Sequence, residues 1–273
     1  MTSSDFTAVD GLAVTLGDDG VLRLVLDRPG KRNAIDDVIM HGLIAAVERA
    51  GVDERVRVIV LTGAGEHFCA GADIVARNAG GDGRKPRVGS IQRRLPSQAH
   101  RLVPLVLSVQ VPVVCAVRGW AAGIGFQLAL AADITIATDD ARFWQPFIER
   151  GFTPDSGATW LLLRRVGDVR ARELLLLGRA IDGREAHEWG AIHRAVPAAE
   201  LDATVAEVVA RLANGPTVAL GLTKWLLHEG AEASLAQQLA NEALALELSS
   251  RSEDFREGLS AFRDKRAPRF EGR

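Results

Sequence analysis

The chain has 273 residues, enough for one large α/β domain or two small ones around a sizeable core. Its 33 Lys and Arg against 35 Asp and Glu leave a formal charge of −2, which excludes a broad electrostatic pull toward nucleic acid or an anionic membrane. No apolar run reaches the ~18 residues of a membrane span, and MTSSDFTAVDG lacks a basic stretch followed by an apolar block, so a cytoplasmic protein is expected.

Three early runs, LAVTL from Leu12, VLRLVLDRP from Val21 and VRVIVLTG from Val56, alternate or are wholly apolar and rich in β-branched residues, which predicts strands. Between the last two, Ile35, Ile39, Leu43 and Val47 recur at helical spacing, after a candidate cap region near Asn33 and before Gly51. That βαβ unit predicts a parallel pair.

Two glycine turns follow. TGAGEHFCAGADI leaves the third strand and runs through Cys69, Ala70, Gly71, Ala72 and Asp73 toward what reads as a helix start. The stretch NAGGDGRKPRVGS, residues 78–90, has no apolar period and reads as a loop, lid or idle insertion. After a helical segment up to Gln110 comes the buried strand VPVVCAVRG, then GWAAGIGFQLAL with a helix entered at about Gly125, then the strand DITIA. Small residues let a ligand approach the backbone, and two such turns at one end of neighbouring strands would aim two N–H groups at one oxygen. The P-loop order GxxxxGK[ST] is absent, and GWAAGIG has neither GxGxxG order nor a suitable acid beyond it. Cys69 and Cys115 show no ligand spacing, so buried free thiols and no metal are expected.

GFTPDSGATW places Asp155 before an apolar helical run, where it reads either as an N-cap or as a catalytic acid. Helices are then predicted for Ala158–Arg165, Arg170–Leu177 and Gly183–Trp189, with long amphipathic segments from Leu201 onward that must pack on the core or on another subunit.

The pieces DRPGKRNAI, HFCAGADI, VPVVCAVRGWAAGIGFQLALAADITIA, ARFWQPFIERGFTPDSGATWLLLRRVG and REGLSAFRDKR, in that order, resemble the enoyl-CoA hydratase/isomerase (crotonase) family over nearly the whole chain. The resemblance implies an α/β fold, a spiral of ββα units over residues 1–198. Residues 199–273 would form a helical region that builds trimers or hexamers. It implies an acyl-CoA thioester as substrate, with coenzyme A as part of that substrate and no separate cofactor. The thioester carbonyl would bind the backbone N–H groups of Ala72 and Ile124, where Ile124 replaces the glycine usual in the second turn. Ala70, Asp73 and Ile74 belong to the first turn and would line the substrate. The basic residues before the NA motif, Lys31 and Arg32, and the C-terminal Phe262 and Lys265 would hold coenzyme A.

The two glutamates of the family's hydratases are replaced here by Gln127 and Phe147, neither of which exchanges protons at neutral pH. Asp155 stands where the family's isomerases and aromatic dehalogenases carry an acid, and enclosure beside Phe147 and Trp144 would raise its proton affinity. The resemblance therefore implies double-bond isomerisation by Asp155. Hydration with Gln127 or Glu149 holding the water, ring or C–C bond hydrolysis or dehalogenation, and a non-catalytic acyl-CoA binder are the alternatives. Glu149 reads as solvated, His67 as a bystander without a partner, and Trp144 and Trp160 as core or as walls of the acyl pocket.

Overall fold

A computed structural model describes residues 6–73 and 87–273. Six strands form the main sheet in the order β1 (Leu12–Leu16), β2 (Val21–Leu26), β3 (Val58–Gly63), β4 (Val113–Val117), β6 (Ile134–Thr138) and β9 (Arg194–Val196). The β1–β2 hairpin is antiparallel and every later pair is parallel, as the βαβ reading requires. A smaller sheet joins β5 (Trp120–Ala122), β7 (Arg142–Trp144) and β8 (Ile181–Asp182).

The strand patterns explain how the sheet is covered. In β4 all of Val113, Val114, Cys115, Ala116 and Val117 are buried, because helices lie on both faces. One face holds the large core with Leu24, Leu61, Cys115 and Phe126. The other carries Val58, Val114 and Ile136 against Leu201, Val205, Val209 and Ala213 of the helix Leu201–Ala213. The helix Asp37–Ala50 begins at Asp36, whose carboxylate accepts the N–H groups of Val38 and Ile39. Asn33 is therefore not the cap. It is fully buried, with Nδ2 donating to the carbonyls of Ala64 and His67 and Oδ1 accepting from Arg28 N, so it clamps the first glycine turn.

The two predicted helices after Asp155 are both present within Ala158–Leu177, separated by a kink at Gly167, whose φ of 76° and ψ of 171° are not helical. The third predicted helix is Gly183–Glu188. Three more helices follow Leu201–Ala213: Thr217–Gly230, Leu235–Ser249 and Glu253–Arg263. Lys224 fixes the first of these three to the core. Its buried Nζ donates to Asp133 at 2.7 Å and to the carbonyls of Val106 and Val111. Burial pulls the Lys224 ammonium below its ordinary pKa and pushes the Asp133 carboxyl above the usual carboxylate value, each opposed by the partner's charge. Leu227, Leu235, Leu239, Leu244 and Leu246 remain exposed on these helices. Among the described residues no helix is long and apolar enough to cross a membrane.

Candidate active site

The two glycine turns run side by side. Cys69 pairs with Ala121 in a parallel bridge, with Cys69 N donating to Trp120 O and Ala122 N to Cys69 O, each at 2.8 Å. Continuing that register places Gly71 beside Gly123 and Ala72 beside Ile124. The glycines do come together: a Cβ on Gly71 would lie 3.1 Å from Ala122 O, and one on Gly123 would lie 3.9 Å from Gly71 Cα.

The N–H groups after each glycine are oriented by their neighbours. Ala72 bridges Ile35, whose N donates to Gly71 O and whose carbonyl accepts from Asp73 N, so the N–H of Ala72 itself turns away from Ile35. Ile124 opens the helix Ile124–Ala131, so its N–H is one that a helix leaves unpaired, and the carbonyl four residues back, Trp120 O, is taken by Cys69 N. Among the described residues no backbone carbonyl accepts from either N–H. The arrangement offers two adjacent backbone donors to one oxygen, with the positive end of a buried helix behind one of them.

The turn accepts isoleucine because its three residues do different work. Gly123 carries the positive φ, 51°. Gly125 gives the close approach, since a Cβ there would lie 2.7 Å from both Cβ and O of Cys69. Ile124 is helical and 4% exposed, demands neither freedom, and starts the helix one residue earlier than expected. The thiol of Cys69 is fully buried and pushed up to about 12 by desolvation, so it stays protonated and packs as a small apolar group.

Asp155 does not cap the helix that follows it. Gly157 occupies the N-cap position and no side chain bonds there. Ser156 and Gly157 both have left-handed backbone, φ 53° and 80°, which swings the chain so that Asp155 supplies its carbonyl to Ala158 N instead of its carboxylate. The half-buried carboxylate accepts a 2.8 Å bond on Oδ1 from Ser156 Oγ, and among the described residues no side chain donates to Oδ2. The expected enclosure of this acid is thus only partial.

Gln127 links the acid to the second turn. One helical turn beyond Ile124, its Nε2 donates at 3.3 Å to both Asp155 O and Gln145 Oε1. Gln127 is completely buried, and among the described residues neither its Oε1 nor Gln145 Nε2 meets a partner, so the amide's one set of hydrogen bonds ties Gln145 to the Asp155 segment. Phe147 is 5% exposed and stacks edge-on with Phe152 at 5.5 Å. Beyond Ser156 and Gly157 opens a cavity of about 370 Å³, walled by Val103, Pro104, Leu107, Trp160 and Leu161, with His100 and His228 also on its lining. Trp160 is therefore a wall residue, covered by Arg164 at 3.7 Å from its ring. Among the described residues no cluster of His, Cys, Asp or Glu could hold a metal.

The remaining candidates divide. Asp73 is buried, and its Oδ2 pairs with Arg28 at 3.2 Å and Lys31 at 3.0 Å, while Ala70 N donates to Arg32 O, so these residues brace the first turn. Lys31 and Arg32 remain exposed beside it. Trp144 is half-buried, donates Nε1 to Gly178 O at 2.7 Å and packs on Trp120. His67 accepts from Trp120 N and abuts Gly119, a supporting position, and Glu149 is exposed beside Gly178. Phe262 is 86% exposed, and Lys265 sits past the end of the last helix. Ile74, the expected helix start there and most of the 78–90 loop lie outside the described residues. Ser156, Gln145 and the Asn33 clamp were not legible as site residues; only the position of Ser156 beside the acid in PDSG hinted at a role.

Comparison with known proteins agrees with this geometry. The family described as Enoyl-CoA hydratase/isomerase matches residues 17–273. The chain is 40% identical over 255 residues to the 1,2-epoxyphenylacetyl-CoA isomerase of Escherichia coli, covering 93% of this chain and 96% of that one. It has the same 40% identity, over the same shares, to a Rhodobacter capsulatus protein named "Probable enoyl-CoA hydratase". The crystal structure of enoyl-CoA hydratase from Bacillus anthracis superposes with TM-score 0.89 at 30% identity, covering 96% of this chain and all of that one. The α/β chain with its paired glycine turns belongs to the enoyl-CoA hydratase/isomerase family and has the crotonase fold.

Proposed function

We propose that the protein isomerises the double bond of an enoyl-CoA thioester by proton transfer through Asp155. The observation that supports this reading is the tie between Gln127, one turn after Ile124, and the main chain of Asp155: it joins the segment that bears the acid to the helix that Ile124 opens, while the places of the hydratase glutamates hold an amide and a phenyl ring.

In this mechanism the thioester oxygen accepts the N–H groups of Ala72 and Ile124. The Asp155 carboxylate takes the allylic proton at C2 of a 3-enoyl thioester, the electron pair moves into a dienolate, and its negative oxygen is stabilised by the two donors. The new carboxyl group then returns the proton at C4, which leaves a 2-enoyl thioester and restores the carboxylate. Phe147 and Phe152 form an apolar wall, and the cavity beyond Ser156 receives the acyl group. Ala70 and Asp73 frame the first turn, Lys31 and Arg32 of the same chain meet coenzyme A, and Phe262 and Lys265 of a neighbouring copy reach it. The exposed leucines of the last helices are the contact surface of that homotrimer or hexamer.

Hydration is the second reading, favoured by the equal identity to the Rhodobacter relative named for it. Asp155→Asn tests the assignment. Isomerase turnover should fall by roughly 10²–10⁴-fold with acyl-CoA binding nearly intact. Undiminished turnover would remove Asp155 from the mechanism.

A further inference from the structure

We infer that Ser156 is a positioning residue that fixes the Asp155 carboxylate with Oδ2 as the proton-accepting atom, an inference that rests on the isomerase reading above. Three observations converge on it. Ser156 has a left-handed backbone, φ 53°, a conformation that glycine enters freely and a residue with a Cβ enters at a cost in free energy. The very next residue, Gly157, shows that the chain places glycine in this turn where only the backbone matters. The Ser156 side chain is nevertheless 3% exposed and donates its Oγ–H to Asp155 Oδ1 at 2.8 Å.

A serine that serves only as a turn residue would gain nothing from this strain. Here the strained backbone turns the hydroxyl back onto the acid of the preceding residue, and burial shields the bond from competition by water. With Asp155 O held by both Gln127 Nε2 and Ala158 N, and Oδ1 held by Ser156, the main chain and one carboxylate oxygen are both fixed. Oδ2 remains to take the proton. In the reaction the C2–H bond breaks, an O–H bond forms on Oδ2, the electron pair enters the dienolate, and the same O–H bond breaks when the proton returns to C4. No oxidant or co-reactant is required.

The test separates the hydroxyl from the strain. Ser156→Gly removes both, whereas Ser156→Ala removes the hydroxyl and keeps the strain. Both variants should lose roughly 10- to 100-fold in kcat on 3-enoyl-CoA thioesters with KM within about twofold of wild type, because the base is present but poorly aligned. Their stabilities should part: Ser156→Gly melts at or above the wild-type temperature and Ser156→Ala does not exceed it. Wild-type kcat in Ser156→Gly, or rates that follow melting temperature, would overturn the inference. Asp155→Asn in the same assay distinguishes the two levels. Lost turnover there with an unimpaired Ser156→Gly discards only the role of Ser156, whereas retained turnover in Asp155→Asn, or none in wild type, discards the isomerase reading and this inference together.

Discussion

Gly125 is pressed against Cys69: a methyl group on it would come within 2.7 Å of both the Cβ and the carbonyl oxygen of Cys69. That contact brings the second turn down onto the first, so the adjacency of the Ala72 and Ile124 N–H groups depends on a missing side chain.

Gly125→Ala and Ile124→Ala should therefore fail in different ways. The alanine at position 125 must push the turns apart, costing about 1–3 kcal/mol in stability and most of the activity. Ile124→Ala keeps the backbone donor but empties a buried site, so it should lose about 2–5 kcal/mol while the folded fraction retains near wild-type kcat. Thermal melts paired with turnover per folded molecule check both.

Gln127→Glu places a second carboxyl group at a fully buried position next to the Asp155 main chain. The substitution should lower isomerisation, since a charged oxygen would repel Asp155 O and a neutral acid donates one hydrogen where the amide donates two. Mass spectrometry of 2-enoyl-CoA products also reads any water addition that the new acid supports. Unchanged isomerisation would show that the amide does not hold the acid.

Asp53 is held at about 2, chiefly by the hydrogen bonds of Arg55, with burial opposing. A pKa depressed in the folded state gives stability that is present above the unfolded value near 3.8 and is lost as pH falls toward 2. Wild type should exceed Asp53→Asn in urea midpoint at pH 6, and the gap should narrow between about pH 4 and pH 2.

Lys224→Met should cost about 3–5 kcal/mol, because it leaves the Asp133 carboxylate without its counter-charge, held by the N–H of Val113, and takes the Nζ donor from the carbonyls of Val106 and Val111. Replacing Asp133 with Asn in the same chain should recover part of that loss, a double-mutant coupling measurable in urea melts.

Much of the fold was legible in the sequence because it rests on period and punctuation. Val113 to Val117 reads as a strand buried on both faces, and Gly71 and Gly125 mark close backbone approach. What stayed hidden lies between segments distant in sequence. No local pattern announces that Asn33 clamps the first turn from thirty-odd residues away, or that Lys224 reaches Asp133 across the core. The cap reading of Asp155 failed for a backbone reason, since serine at position 156 gives no sign of the left-handed conformation that turns the carboxylate aside. Gln127 read as a residue that could hold a water, and only packing reveals that its amide bonds the main chain of Asp155.

Proton transfer by Asp155 is read out by solvent-deuterium incorporation into 2-enoyl- and 3-enoyl-CoA thioesters, followed by NMR and mass spectrometry with wild type and Asp155→Asn. Double-bond migration with deuterium entering at C2 or C4 in wild type, abolished in the variant, is the predicted result. Water addition without migration, or migration that survives in Asp155→Asn, would contradict it.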